Sequence, residues 1–274
     1  MSSSSDQEIT EIGDVVVPRE LLPNSSYAPL KGIFDLGWRA WQDLPASDFV
    51  RQLRKMDDGL IRENREWIFQ LAPLIANSEL SLEQFRAFLP GYFKLVDRFA
   101  ITIVKNVFGV LKNREVRDII LRHAAEENGH SELFADFCSG ALRLDRAREL
   151  WMPADAKKAG NETSGWYDKP GAALAKSNPE LAYALIPFTE RSLPRQHEIL
   201  AVALRKVYGF KSKDLAFFDL HRFVDIYHER FGLWVLGKYA TKKSSQELVS
   251  EAVQSMRAGQ IKWARGAYDT IMRM

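Results

Sequence analysis

Apolar residues recur at three- and four-residue steps along most of the chain after Asp48. Phe49, Leu53, Met56, Leu60 and Ile61 open the pattern, and it continues through Trp67, Ile68 and Leu71. That is the repeat of an amphipathic α-helix. Ser78 to Glu83 reads as a helix start, with Ser81 as N-cap and Glu83 and Gln84 in the first turn. This helix is expected to run past Pro90 through Tyr92, Leu95, Val96, Phe99, Ile103 and Val107. Pro90 either kinks it or marks its true first turn. The next helix starts near Asn113 or Arg114 and holds Val116, Ile119, Ile120, Ala124 and Ala125, before a further apolar period of Leu133, Phe134, Phe137 and Leu142. Prolines and glycines between 152 and 179 predict loops, with one short helix near Ala172 to Ser177. Helical pattern resumes at Pro179 and runs to about Gly209, with Pro187 and Pro194 as the places for a break. A helix bearing His221 follows. A last amphipathic helix runs from Ser245 to the end, with Leu248, Val253, Met256, Ile261, Trp263 and Ala267 facing inward.

No alternating strand of any length stands out, nor any internal repeat of roughly 20–50 residues. The expected fold is all-α: one domain over residues 29–274, a bundle of about seven or eight helices, with the Pro/Gly stretch after residue 152 lying over one end. Residues 1–28 are Ser-rich, carry Pro18 and Pro23 and lack periodicity, so they read as a flexible N-terminal arm.

Composition narrows the function classes. With 46% apolar and 27% charged residues the chain is ordinary for a globular domain. A net charge of +2 implies no nucleic-acid partner and no membrane surface. The single Cys138 excludes an internal disulfide framework and zinc-finger chemistry and fits a reducing, cytoplasmic setting. No apolar run approaches the roughly 18 residues of a span, and the opening M-S-S-S-S-D-Q-E reads as no secretory signal.

The chemistry concentrates in L-H-R-F-V-D-I-Y-H-E-R-F-G, Leu220 to Gly232. At about 100° per residue, His221, Asp225 and His228 share one helical face. Two imidazoles and a carboxylate on one stripe can bind a first-row transition metal. Glu127 and His130, three apart, or Glu126 and His130, four apart, also share a face. Glu190 lies in the apolar I-P-F-T-E-R-S-L-P, an approach that places its carboxylate indoors, where it needs a partner. Glu127, His130, Glu190, His221, Asp225 and His228 are too many ligands for one catalytic zinc. They suit two iron or manganese ions with a bridging carboxylate, and they imply no haem. A ferritin-like centre needs two Glu-x-x-His motifs, and the chain pairs only one with a His-x3-Asp-x2-His.

The pattern resembles the haem-oxygenase-like di-iron oxidases and oxygenases, relatives of the thiaminase II and pyrroloquinoline-quinone synthase folds. It is carried by E-N-G-H-S-E-L-F (Glu127 to Phe134), by the lone Glu190, and by His221, Asp225 and His228, which begin 31 residues later. It covers about residues 45 to 270. The resemblance implies a haem-oxygenase-like bundle, two Fe(II) ions (or Mn) on those six residues, and O2 as cosubstrate. It further implies a small amino acid or amine as substrate, with N-oxygenation, oxidative carbon–carbon cleavage or desaturation as outcomes in specialised metabolism. An external electron donor and a homodimer stay open. So does the choice between Glu126 and Glu127, and a part for Asp97. His123 and His197 could line the pocket or orient a ligand, or simply pack. Cys138 reads as packing. Arg122, Arg191 and Arg195 are the nearby cations for a substrate carboxylate. The alternatives are a metal-free member of the same fold, either a cofactorless oxidase or a thiaminase-like hydrolase, and a non-enzymatic helical binding protein.

Overall fold

The computed structural model describes residues 10–12, 15–17, 47–145 and 174–273. Two three-residue strands, β1 (Thr10–Ile12) and β2 (Val15–Val17), pair antiparallel within the stretch read as an arm. Everything else described is helix and its connections, in a number close to that expected. Among the described residues no helix is long and apolar enough to cross a membrane. Most of the 152–179 stretch and all of 18–46 lie outside the described residues.

Helix α1 (Asp48–Glu63) starts on Ser47, whose hydroxyl accepts from the Val50 amide. The expected single helix through Leu71 is instead three: α1, α2 (Arg65–Ile68) and α3 (Leu71–Ala76). Asn64 causes the first break. Its side-chain amide and its backbone N–H both donate to the Leu60 carbonyl, the local competition that makes Asn a poor interior helix residue. Helix α4 (Leu82–Lys105) begins at a full capping box, with the Ser81 hydroxyl accepting from Gln84 N and the Gln84 side chain accepting from Ser81 N. Pro90 therefore sits inside it rather than at its first turn. Val107 falls beyond its end, in a 3₁₀ turn (Asn106–Val110). There the Asn106 amide donates back to the Thr102 and Ile103 carbonyls.

Helix α5 (Arg114–Asp136), capped by Asn113, runs into one π turn, Phe137–Ala141. A helical turn at 174–177 precedes α6 (Pro179–Glu190), which is buried on every side from Leu181 to Glu190. The break before α7 (Leu193–Tyr208) lies at Arg191 and Ser192, between the two prolines. Pro194 is in the first turn of α7, where a missing N–H costs nothing. Gly209, at φ 72°, ends α7 in the left-handed region. A 3₁₀ turn (Ser212–Leu215) leads into α8 (Ala216–Tyr239), and α9 (Lys243–Ile271) closes the chain.

Helix α8 is the axis of the bundle. It packs on α6, α7 and α5, while α4 pairs with α5, α3 with α7, and α9 runs across α1, α2, α4 and α6. Helices α6 and α8 approach so closely at Gly232 that a Cβ there would stand 2.7 Å from the Ala184 carbonyl oxygen and 2.9 Å from the Phe188 nitrogen. The apolar core forms two clusters. One joins Val116, Ile120 and Ala124 of α5 to Leu233, Trp234, Val235 and Leu236 of α8. The other joins Phe134 of α5 to Phe217 and Phe218 of α8. Between them, on both helices, lies a band of polar side chains.

Candidate metal centre

Helix α5 carries His123, Glu127 and His130 at i, i+4 and i+7, hence on one stripe. Helix α8 repeats the spacing with His221, Asp225 and His228. The stripes face each other running in opposite directions. The His123 ring lies 4.2 Å from that of His228, and the His130 ring 4.4 Å from that of His221. Glu190, the last residue of α6, enters from the side, its Oε2 2.8 Å from His228 Nδ1 and its Oε1 3.4 Å from His123 Nε2. Glu127 stands between the pairs, 3.0 Å from His130 Nδ1 and 3.3 Å from His228 Nδ1. Asp225 lies 3.6 Å from His228 Nδ1 and, through its other oxygen, 3.6 Å from His197 Nδ1 on α7. All five histidines of the chain meet here. None of these side chains, nor Glu126, is more than 5% exposed.

Neighbouring groups fix how the rings turn. His221 Nδ1 lies 2.8 Å from the Phe217 carbonyl, which can only accept, so Nδ1 carries the proton and Nε2 keeps its lone pair. Burial, with His130 nearby, lowers the His221 pKa to about 3, so the ring is neutral. His123 Nδ1 is held 3.1 Å from the Tyr183 hydroxyl, itself kept a phenol by burial and by Glu190 and Glu126. His228 has carboxylates on both sides: Glu126 is 3.1 Å from Nε2, and Glu190 is on Nδ1. Burial alone lowers its pKa, yet Glu190, with Asp225 and Glu126 close to the ring, holds it well above the usual value. Burial raises Glu126.

Two sets of ligand atoms converge to within 4.8 Å of one another: His123, Glu127, Glu190 and His228, and Glu127, His130 and His221. The residues fit metal on a direct observation. His123 Nε2, Glu127 Oε1, His130 Nδ1 and Glu190 Oε1 are buried without hydrogen-bond partners, their close approaches lacking the required angles. Buried ionisable atoms left without hydrogen bonds are costly, and a divalent cation would satisfy them together. Mixed imidazole and carboxylate donors suit iron or manganese. A cavity opens on the centre. Glu127, Glu190, His197, His221 and Asp225 form one wall, and Val96, Phe99, Phe217 and Trp263 are among its apolar lining.

All six residues singled out in the sequence therefore lie in this band. Five enter the two sets, and Asp225 touches His228 and His197 from beside them. Glu126 reaches only His228, whereas Glu127 belongs to both sets. His123, left open between pocket wall and packing, is a full member of one set. Its signal was the equal spacing of His123-x3-Glu127-x2-His130 and His221-x3-Asp225-x2-His228. Asp97 is half-buried and in neither set. The suggested arginines do not line the cavity. Arg191 bonds Asp57, Asp58 and Glu229 instead, and exposed Arg195 pairs with Glu198. Cys138 is buried in the aromatic cluster, its thiol pushed up to about 12 by burial.

Residues 92–260, well over half the chain, match the family model described as iron-containing redox enzyme. No curated protein matches by sequence. Among solved structures, a TenA homolog from Pseudomonas syringae pv. tomato aligns with 83% of this chain and 95% of its own, with a TM-score of 0.63 and 16% identity. A domain of unknown function with a heme oxygenase-like fold, from Shewanella denitrificans, aligns over 80% and 90%, with a TM-score of 0.59 and 12% identity. At such identities the likeness is one of fold, and the fold is the haem-oxygenase-like all-α bundle.

Proposed function

Because the chain belongs to the family of iron-containing redox enzymes, we propose that its buried centre holds two ferrous ions and oxidises a small substrate with dioxygen. The observation that supports this most directly is the set of orphaned nitrogen and oxygen atoms on His123, Glu127, His130 and Glu190, grouped around one shared carboxylate. His123, Glu127, Glu190 and His228 would hold one ion, and Glu127, His130 and His221 the other, with Asp225 closing the set. Manganese has the same ligand preferences. Iron, when bound, supplies the electrons that reduce O2. The reading uses no haem.

The protein's own groups do the rest. The Phe217 carbonyl and the Tyr183 hydroxyl set two rings, and Glu126 orients His228, which is how outer partners align ligands. Phe99, Phe217 and Trp263 keep the chamber poor in water. Among the described residues its lining carries three carboxylates and no lysine or arginine, which favours the amine end of a substrate over a carboxylate end. A primary amine would therefore face the centre and be oxidised at or next to nitrogen. We place this chemistry in a reducing, cytoplasmic compartment. A thiaminase-like hydrolase with a cysteine nucleophile gains no support, because Cys138 lines neither this cavity nor the centre.

The test is anaerobic reconstitution with ferrous iron, metal counting, then exposure to oxygen. Close to two irons per chain, and oxygen uptake that increases with an amine substrate, are expected. Folded protein that keeps no iron above background would overturn the reading.

A further inference from the structure

The last helix, α9, turns one stripe inward. Arg257, Gln260 and Ala264, at i, i+3 and i+7, are all buried. Gln260, 6% exposed, also lines the cavity that opens on the metal centre, beside Trp263 of the same helix. The metal centre as described makes no use of it.

A glutamine amide can present its oxygen or its nitrogen, and here a neighbour decides which. Asp57 accepts from Arg257 Nε and Nη2 at 2.7 and 2.9 Å. The remaining nitrogen, Nη1, donates to Gln260 Oε1 at 2.7 Å and to Ser192 Oγ at 3.2 Å. A guanidinium can only donate. Turning the amide over would set its NH2 against Nη1 and lose a charge-assisted hydrogen bond, the stronger kind. The oxygen is thus held by the protein, and Nε2 is fixed as a donor. No described residue accepts from Nε2, and the atom is not sealed within the protein. An oriented donor without a partner, on a buried side chain in the wall of this cavity, is matched by an acceptor on whatever enters.

We propose that Gln260 is a substrate-recognition residue, its Nε2 donating to an oxygen acceptor carried by the substrate. This rests on the reading of the cavity as the chamber in which an amine is oxidised, and it adds the other part of the molecule. The carboxylates of the centre face the amine end, and Gln260 bonds an ether, hydroxyl or carbonyl oxygen further along the same chain. A purely hydrocarbon amine would leave Nε2 without a bond, which is how a polar site rejects an analogue that lacks the partner group.

Hexylamine and 3-ethoxypropylamine test this, since they share length and amine and differ by an ether oxygen in place of one CH2. Calorimetric titration of each into the purified protein gives the ratio of their affinities, and comparison with variants cancels the difference in their own hydration. Gln260→Met removes the donor at similar length. It should lower the ratio of ether to hydrocarbon affinity by about 3- to 10-fold, the share of one neutral hydrogen bond. Gln260→Glu keeps an oxygen for Arg257 but offers no NH2, and should lower the ratio as well. It also guards against a Met variant that fails to fold, with circular dichroism as the check. A ratio that does not fall in a variant that folds overturns the proposal, the NH2 then bonding water alone. So does binding of neither probe to the unaltered protein. Iron is counted separately. A ratio that depends on Gln260 in protein that retains no iron would sink the reading of the metal centre and leave this one standing. Retained iron with an unchanged ratio would do the reverse.

Discussion

At the scale of single residues, Glu126 and Glu127 are adjacent in sequence, both buried, and unlike in what they touch. Glu127 faces His130 and His228 and belongs to both ligand sets, whereas Glu126 bonds His228 from outside. Glu127→Ala is therefore expected to abolish iron retention. Glu126→Ala should keep at least one iron per chain with lower affinity, of the order of tenfold as for other outer partners. Metal counting on both variants decides, and loss of all iron in Glu126→Ala alone would reverse the assignment. The sequence made the ligand types and stripes legible because helical spacing converts directly into a shared face. It left Glu126 and Glu127 undecided, because they differ by about 100° and only the position of α8 shows which direction is inward. It also undervalued His123. Read alone, that residue has no pattern, and it gains one only when its stripe is laid beside the identical stripe on α8.

At the scale of elements, helix starts were readable, and the α6–α7 break only as far as the two prolines that bracket it. Ser81 and Asn113 act through bonds within three residues, so local sequence suffices. The exact place of that break, after Glu190, is where Arg191 reaches Asp57, Asp58 and Glu229, partners that no window of sequence contains. The contact of α6 with α8 is equally non-local and sets Glu190 against His228. It tolerates no side chain at Gly232, where the obstructing atoms are backbone. Gly232→Ala should destabilise the fold by about 1–3 kcal/mol, the usual cost of overpacking, and should weaken iron retention by spreading the two helices. Urea unfolding with parallel iron counting checks this. Unchanged stability would mean that the helices separate freely and that their spacing does not hold the centre together.

At the scale of the whole molecule, the α6–α7 junction is tied to both ends of the described helical chain by a buried ionic network. Arg257 of α9, 1% exposed, donates to both oxygens of Asp57 of α1 at 2.7 and 2.9 Å, and to Ser192 at 3.2 Å. Arg191 shares Asp57 at 3.0 Å. The all-α class followed from periodicity alone, but this closure could not, since its partners are 200 residues apart. Removing one partner strands the other's charge indoors. Asp57→Ala is expected to cost about 3–5 kcal/mol, while the joint change Asp57→Leu with Arg257→Met should recover most of that. Chemical denaturation of the single and double variants measures both, and a mild single variant would show that water reaches the network.

The opposed stripes on α5 and α8 have the form of a local two-fold axis. It exchanges His123 with His221, Glu127 with Asp225 and His130 with His228, and so maps one histidine pair onto the other. Two departures break this symmetry. Glu190 serves only the His123–His228 side, and Glu127, one methylene longer than Asp225, enters both ligand sets. The two halves are therefore inequivalent by construction, and the half with two carboxylates should fill first. Cobalt(II) titrated anaerobically into metal-free protein should give visible absorption in two successive phases, with Glu190→Gln drawing them together. One indistinguishable phase in the unaltered protein would mean that the symmetry, and not its breaking, governs how the centre loads.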